Sequence, residues 1–130
     1  MPLADLFVDA LRFNANHGLV DALRMGVPAI TCSGHSMASR LGGSIIRAAG
    51  LPECVLSDTE SYVAKAIALG RDRSQLLVLK RQLQAARAAA PLFDAQARVR
   101  ECEAAWTVMA ERSRAGLPAA AFDVASSPPA

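Results

Sequence analysis

The chain alternates short apolar runs with stretches in which apolar positions return every three or four residues. Leu6-Phe7-Val8-Asp9 is an apolar run that closes on an acidic residue and opens into residues 10–16, which predicts a buried strand followed by a loop. From His17 the spacing becomes helical. Leu19, Ala22, Leu23 and Met25 share a face, Asn16 stands at the capping position, and Gly26-Val27-Pro28 ends the helix. Ala29-Ile30-Thr31-Cys32, apolar and β-branched, predicts a second buried strand. The helix after it is expected to take Ser36 as its cap, to turn Met37, Leu41, Ile45 and Ala48 inward, and to stop at Gly50 and Pro52. Cys54-Val55-Leu56 predicts a third strand. Ser57-Asp58-Thr59-Glu60 then reads as a capped start for a helix carrying Tyr62, Ala66 and Leu69.

Beyond Arg73 only helical periodicity remains. Leu76, Leu79, Leu83, Ala86 and Ala90 repeat at steps of three and four until Pro91, and a last helix places Val99, Cys102, Trp106 and Met109 on one stripe before Gly116-Leu117-Pro118. Residues 119–130, which end in Ser-Ser-Pro-Pro-Ala, are expected to be a disordered tail. Strand and helix in strict alternation with short connections imply an α/β fold: a short parallel sheet with flanking helices and a helical C-terminal part. Three strands make only half of a doubly wound domain. Gly42-Gly43 inside a helix costs up to ~2 kcal/mol relative to two alanines, and close packing against the neighbouring strand is one reason to tolerate it.

Composition narrows the function classes. At 130 residues and 52% hydrophobic, the chain can bury a core without disulfide or metal, and no window reaches the ~18 apolar residues of a membrane span. Residues 1–8 lack the features of a secretory signal, so a cytoplasmic location is expected. Three cysteines without a Cys-x-x-Cys pair read as buried thiols. Between residues 71 and 100, seven basic residues (Arg71, Arg73, Lys80, Arg81, Arg87, Arg98 and Arg100) stand against Asp72 and Asp94. With no aromatic but Phe93 among them, they read as a solvated helix face and not as a nucleic-acid surface.

In an open parallel sheet, ligands bind beyond the carboxyl ends of the strands, where helix N-termini present free N–H groups. The first such loop is Asn14-Ala15-Asn16-His17-Gly18, with Asp21 one turn into the helix. Small and polar residues there let the backbone approach a phosphate, and Asp21 can accept hydrogen bonds from a ribose diol. In the plainer alternative Asn16 is an ordinary cap and Asp21 pairs with Arg24. The second loop follows Cys32-Ser33-Gly34-His35, where a thiol and an imidazole three residues apart offer two zinc ligands but no second pair to complete them. A Cys-His nucleophile is disfavoured because Cys32 closes a buried strand. No metal ligand and no catalytic residue is assigned.

Several stretches together resemble the carboxyl-terminal part of the SPINDLY-type protein O-GlcNAc transferases. They are Ala4-Asp5-Leu6-Phe7-Val8-Asp9, Asn14, Asp21-Ala22-Leu23, Met25-Gly26-Val27-Pro28, Gly34-His35-Ser36-Met37-Ala38-Ser39-Arg40, Ala49-Gly50-Leu51-Pro52-Glu53, Ala90-Pro91-Leu92-Phe93-Asp94 and the final helix. The resemblance runs over residues 4–118. It implies the last part of the second, nucleotide-sugar-binding domain of a two-Rossmann glycosyltransferase, with UDP-GlcNAc as donor substrate and no separate cofactor. By the same resemblance Asn16, His17, Gly18 and Asp21 are the nucleotide-sugar-binding residues, with Asp21 on the ribose; His17-Gly18 stand where the family has two threonines, and Arg24 where it has an aromatic residue. The family's catalytic histidine and its diphosphate-binding lysine lie upstream of the matched region. The expected partners are therefore a UDP-sugar and an N-terminal catalytic half. The alternative reading is a non-catalytic module that associates with itself or another protein through the exposed apolar surface of its helical half.

Overall fold

The computed structural model describes residues 4–124. Three short parallel strands, β1 (Phe7–Val8), β2 (Ala29–Cys32) and β3 (Val55–Leu56), form a sheet in the order β1-β2-β3. Phe7 pairs with Ala29 and Val8 with Ile30; on the other side of β2, Thr31 pairs with Val55 and Cys32 with Leu56. All four residues of β2 are buried, as an inner parallel strand covered on both faces requires. The crossovers are α1 (His17–Arg24) and α2 (Leu41–Ala48), and α3 (Thr59–Arg71) and α4 (Arg73–Ala86) follow β3. The core is Leu19 and Leu23 of α1, Ile30 of β2, Ile45 and Ile46 of α2, Leu51, Leu69 of α3, and Leu76, Leu79 and Leu83 of α4.

Several local expectations need correction. Met25 is 66% exposed, because the helix ends there and Gly26 turns the chain with φ +79°. The second helix starts at Leu41 and not at Met37, which is 79% exposed. Ser36 caps no helix because its hydroxyl lies 2.9 Å from the Ser39 hydroxyl, while the Ser36 N–H donates to Ser39 Oγ and the Ser39 N–H to Ser36 Oγ. Cys54 belongs to a 3-10 turn, Pro52–Cys54, so the third strand holds only Val55 and Leu56. Ala90 is buried but lies beyond the end of α4. The cap at the start of α3 is Asp58, whose Oδ1 accepts from the Ser61 N–H at 2.7 Å.

Compact units divide between Leu92 and Phe93. The second is built on α5 (Ala95–Arg114), capped by Asp94, which accepts from the Ala97 N–H at 2.8 Å. Along α5, Val99 (56%), Trp106 (65%) and Met109 (56%) are exposed, and so is Cys102. Gly116, at φ +66°, reverses the chain so that the Leu117 N–H reaches the Arg112 carbonyl and Arg112 Nη2 donates to the Pro118 carbonyl. Residues 119–124 carry no regular secondary structure, and residues 125–130 of the expected tail lie outside the described residues. No helix among the described residues is long and apolar enough to cross a membrane.

Candidate functional site

The loop joining β1 to α1 is held by side chains that bury their polar atoms against each other. Asp9, 4% exposed at the end of β1, accepts three hydrogen bonds: from the N–H groups of Ala10 and Ala15 on Oδ1, both at 2.8 Å, and from Thr31 Oγ1 on Oδ2 at 2.7 Å. Asn14, fully buried, donates from Nδ2 to the Ala10 carbonyl at 2.7 Å and accepts the Gly42 N–H on Oδ1 at 3.0 Å. The Tyr62 hydroxyl donates to the Asp9 carbonyl at 2.6 Å. Burial raises the Tyr62 hydroxyl above its ordinary pKa, which keeps it a donor. The set thus ties β1 and its loop to β2, α2 and α3. Satisfied buried polar groups of this kind hold a segment in one conformation, because each broken bond strands a desolvated atom at a cost of about 1–3 kcal/mol.

Gly42 explains itself here. A Cβ on it would collide with Asp9 Oδ2 and lie 3.0 Å from Thr31 Oγ1 and 3.1 Å from Asn14 Cγ, so the helix tolerates glycine for the close approach expected of the Gly42-Gly43 pair.

All four residues singled out from the sequence, Asn16, His17, Gly18 and Asp21, are exposed. Gly18 and Asp21 line one groove of about 430 Å3 together with Ala4, Phe7, Ala22, Met25 and Val27; Asn16 and His17 do not line it. Asn16 occupies the N-cap position of α1, but its side chain makes no capping bond. Its backbone, at φ −109° and ψ −90°, is not the extended one from which a capping side chain reaches the first turn. Asp21 and Arg24 form no ion pair; the pairs among the described residues are Lys80–Asp5 and Arg98–Glu101.

The second loop closes on itself. The Gly34 N–H donates to the Ser39 carbonyl at 2.9 Å, and the Asn14 N–H donates to the Ala38 carbonyl at 3.0 Å, which seams this loop to the first. His35 is exposed, and Cys32 is buried, with desolvation and then the nearby Asp58 raising its thiol pKa. Burial pushes the Cys54 thiol up to about 11. Among the described residues no three His, Cys, Asp or Glu side chains gather as a metal site. Sequence periodicity missed the Asp9–Asn14–Thr31–Tyr62 set because each member reads alone as a strand end, a loop residue, a strand residue or a core aromatic. The one signal was the glycine pair in a helix.

Residues 2–102 match the profile of glycosyl transferase family 41. Over 108 residues the chain is 34% identical to the probable UDP-N-acetylglucosamine--peptide N-acetylglucosaminyltransferase SEC of Arabidopsis thaliana, a match covering 82% of this chain and 11% of that protein. It is 32% identical over 116 residues to the UDP-N-acetylglucosamine--peptide N-acetylglucosaminyltransferase of Caenorhabditis elegans, covering 89% of this chain and 10% of that protein. A mutant O-GlcNAc transferase of Thermobaculum terrenum superimposes with a TM-score of 0.74 at 34% identity, over 81% of this chain and 20% of that one. The chain thus spans about a tenth of the length of these curated relatives. With a matching profile over most of its residues, and fold and sequence in agreement, the chain belongs to glycosyl transferase family 41.

Proposed function

We propose that this chain forms the diphosphate and ribose side of a UDP-GlcNAc site in a protein O-GlcNAc transferase. The first turn of α1 receives the diphosphate, and Asp21 accepts hydrogen bonds from the ribose hydroxyls. The observation that carries the reading is that no side chain caps the first turn of α1, at the carboxyl end of β1, in a chain of this family. Uncapped N–H groups and the positive end of the helix dipole suit an anion. Sugar transfer then uses groups supplied from outside these residues, and no residue of this chain is given a catalytic role. The test is calorimetry with UDP and UDP-GlcNAc on the wild type and on Asp21→Ala. UDP binding weakened by about 1–3 kcal/mol in the variant supports the ribose contact. Equal affinity of the two proteins rejects that contact, and no heat with either nucleotide rejects the reading as a whole.

The exposed stripe Val99, Trp106 and Met109 on α5 favours a second reading, an interaction module that associates through this face. Light scattering at rising concentration separates the two: a monomer throughout removes self-association.

A further inference from the structure

We propose that Asp9, Asn14 and Thr31 are positioning residues of the nucleotide site, fixing the β1–α1 loop so that the first turn of α1 is presented in one geometry. The inference rests on the functional reading above and names what holds that site in place. None of the three touches the proposed ligand. They act through the loop: Asp9 Oδ1 holds the N–H groups at both ends of its first six residues, Ala10 and Ala15, and Asn14 Nδ2 closes back on the Ala10 carbonyl.

The anchors are on other elements. Thr31 Oγ1 fastens Asp9 to the inner strand β2, and the Gly42 N–H fastens Asn14 to α2. A backbone bond from the Asn14 N–H to the Ala38 carbonyl adds the second loop, and Tyr62 adds α3. Asn16 follows two residues after Asn14 and has no side-chain bond to the turn it precedes, so the position of the α1 N-terminus depends on the anchors upstream of it. Gly42 makes the coupling steric as well as polar, since any side chain there displaces Asp9 and crowds Thr31 and Asn14. A phosphate site built from backbone N–H groups depends on their mutual placement, because the donors cannot re-aim individually as long side chains do.

The experiment uses Thr31→Val, which removes the hydroxyl that serves Asp9 while keeping shape and strand propensity, and Thr31→Ser, which keeps the hydroxyl. Asn14→Ala cuts the second anchor, and Leu76→Ala on α4 is a control that lowers stability without touching the set. Two readouts are taken on the whole chain: UDP affinity by calorimetry and amide hydrogen exchange. Thr31→Val and Asn14→Ala are expected to weaken UDP binding about tenfold. Thr31→Ser and Leu76→Ala are expected to stay within about threefold of wild type at a temperature where all are folded. The Ala15 amide should lose about tenfold in protection in Thr31→Val but not in Thr31→Ser. Undiminished UDP affinity in both Thr31→Val and Asn14→Ala, or an equal loss in Leu76→Ala, overturns the proposal. If the wild type binds no UDP, the functional reading fails on its own. The exchange measurement then decides whether the set fixes the loop, and an Ala15 amide as protected in Thr31→Val as in wild type overturns that too.

Discussion

The same substitution at two helical glycines should change stability in opposite directions. Gly18 is in the first turn of α1 and Gly42 in the first turn of α2, and neither has a positive φ, so alanine suits the backbone at both. By propensity alone each change stabilises by up to about 1 kcal/mol, less in a first turn than in a helix interior. At Gly18 nothing lies within 4 Å of an added Cβ, so Gly18→Ala should keep most of that gain, about 0.5 kcal/mol, and raise Tm by about 2–4 °C. At Gly42 the added methyl meets Asp9 Oδ2, Thr31 Oγ1 and Asn14 Cγ, none of which is the free end of a long side chain. Overpacking of about 1–3 kcal/mol, together with one strained buried hydrogen bond worth about 1 kcal/mol or more, exceeds the propensity gain. Gly42→Ala should therefore lose about 1–3 kcal/mol net. Thermal and urea unfolding followed by circular dichroism measure both. A stabilised Gly42→Ala would mean that Asp9 and Asn14 move aside at no cost, and the reasoning about a fixed set would be wrong.

Other outcomes follow from burial and charge. A thiol reagent should modify one cysteine of the native chain, the exposed Cys102, and all three after unfolding, because Cys32 and Cys54 are buried and the Cys54 thiol is pushed up to about 11; mass spectrometry of the labelled protein gives the count. Asp58 and Asp72 are held below the ordinary 3.8 by hydrogen bonds from Ser61 and from Ser74 and Gln75. Their contribution to stability is thus complete above that value and disappears as pH falls through the lowered one. Asp58→Asn and Asp72→Asn should flatten the acid limb of a plot of Tm against pH, and an unchanged limb counts against the caps. Trp106→Ala should alter unfolding free energy by no more than about 0.5 kcal/mol, since its side chain is 65% exposed. A loss of several kcal/mol would show that the stripe is buried in solution.

How far the fold was legible depends on what each residue's role required. β2 could be read because an inner parallel strand needs four consecutive apolar or β-branched residues, and Ala29-Ile30-Thr31-Cys32 supplies them within Pro28 and Ser33. The start of α3 could be read because Asp58 caps it by a local rule that involves only a neighbour three residues away; the start of α5, capped by Asp94 in the same way, went unread. The start of α2 could not. Ser36 looks like a cap in sequence, yet Ser39 answers it with a reciprocal pair of side-chain to backbone bonds, and the turn this closes delays the helix to Leu41.

The candidate site divides in the same way. Its exposed residues, Asn16, His17, Gly18 and Asp21, were singled out by position at a strand end, a rule that needs no long-range information. Its supports were not, because their partners lie 22, 28 and 53 residues away, from Asp9 to Thr31, from Asn14 to Gly42 and from Asp9 to Tyr62. No periodicity links positions so far apart. What survives in the sequence is the trace left at the most crowded point, a glycine where a helix would prefer alanine. Gly42 is there because the Asp9 carboxylate needs the space, so an apparent weakness in α2 marks the place where the loop above the sheet is anchored.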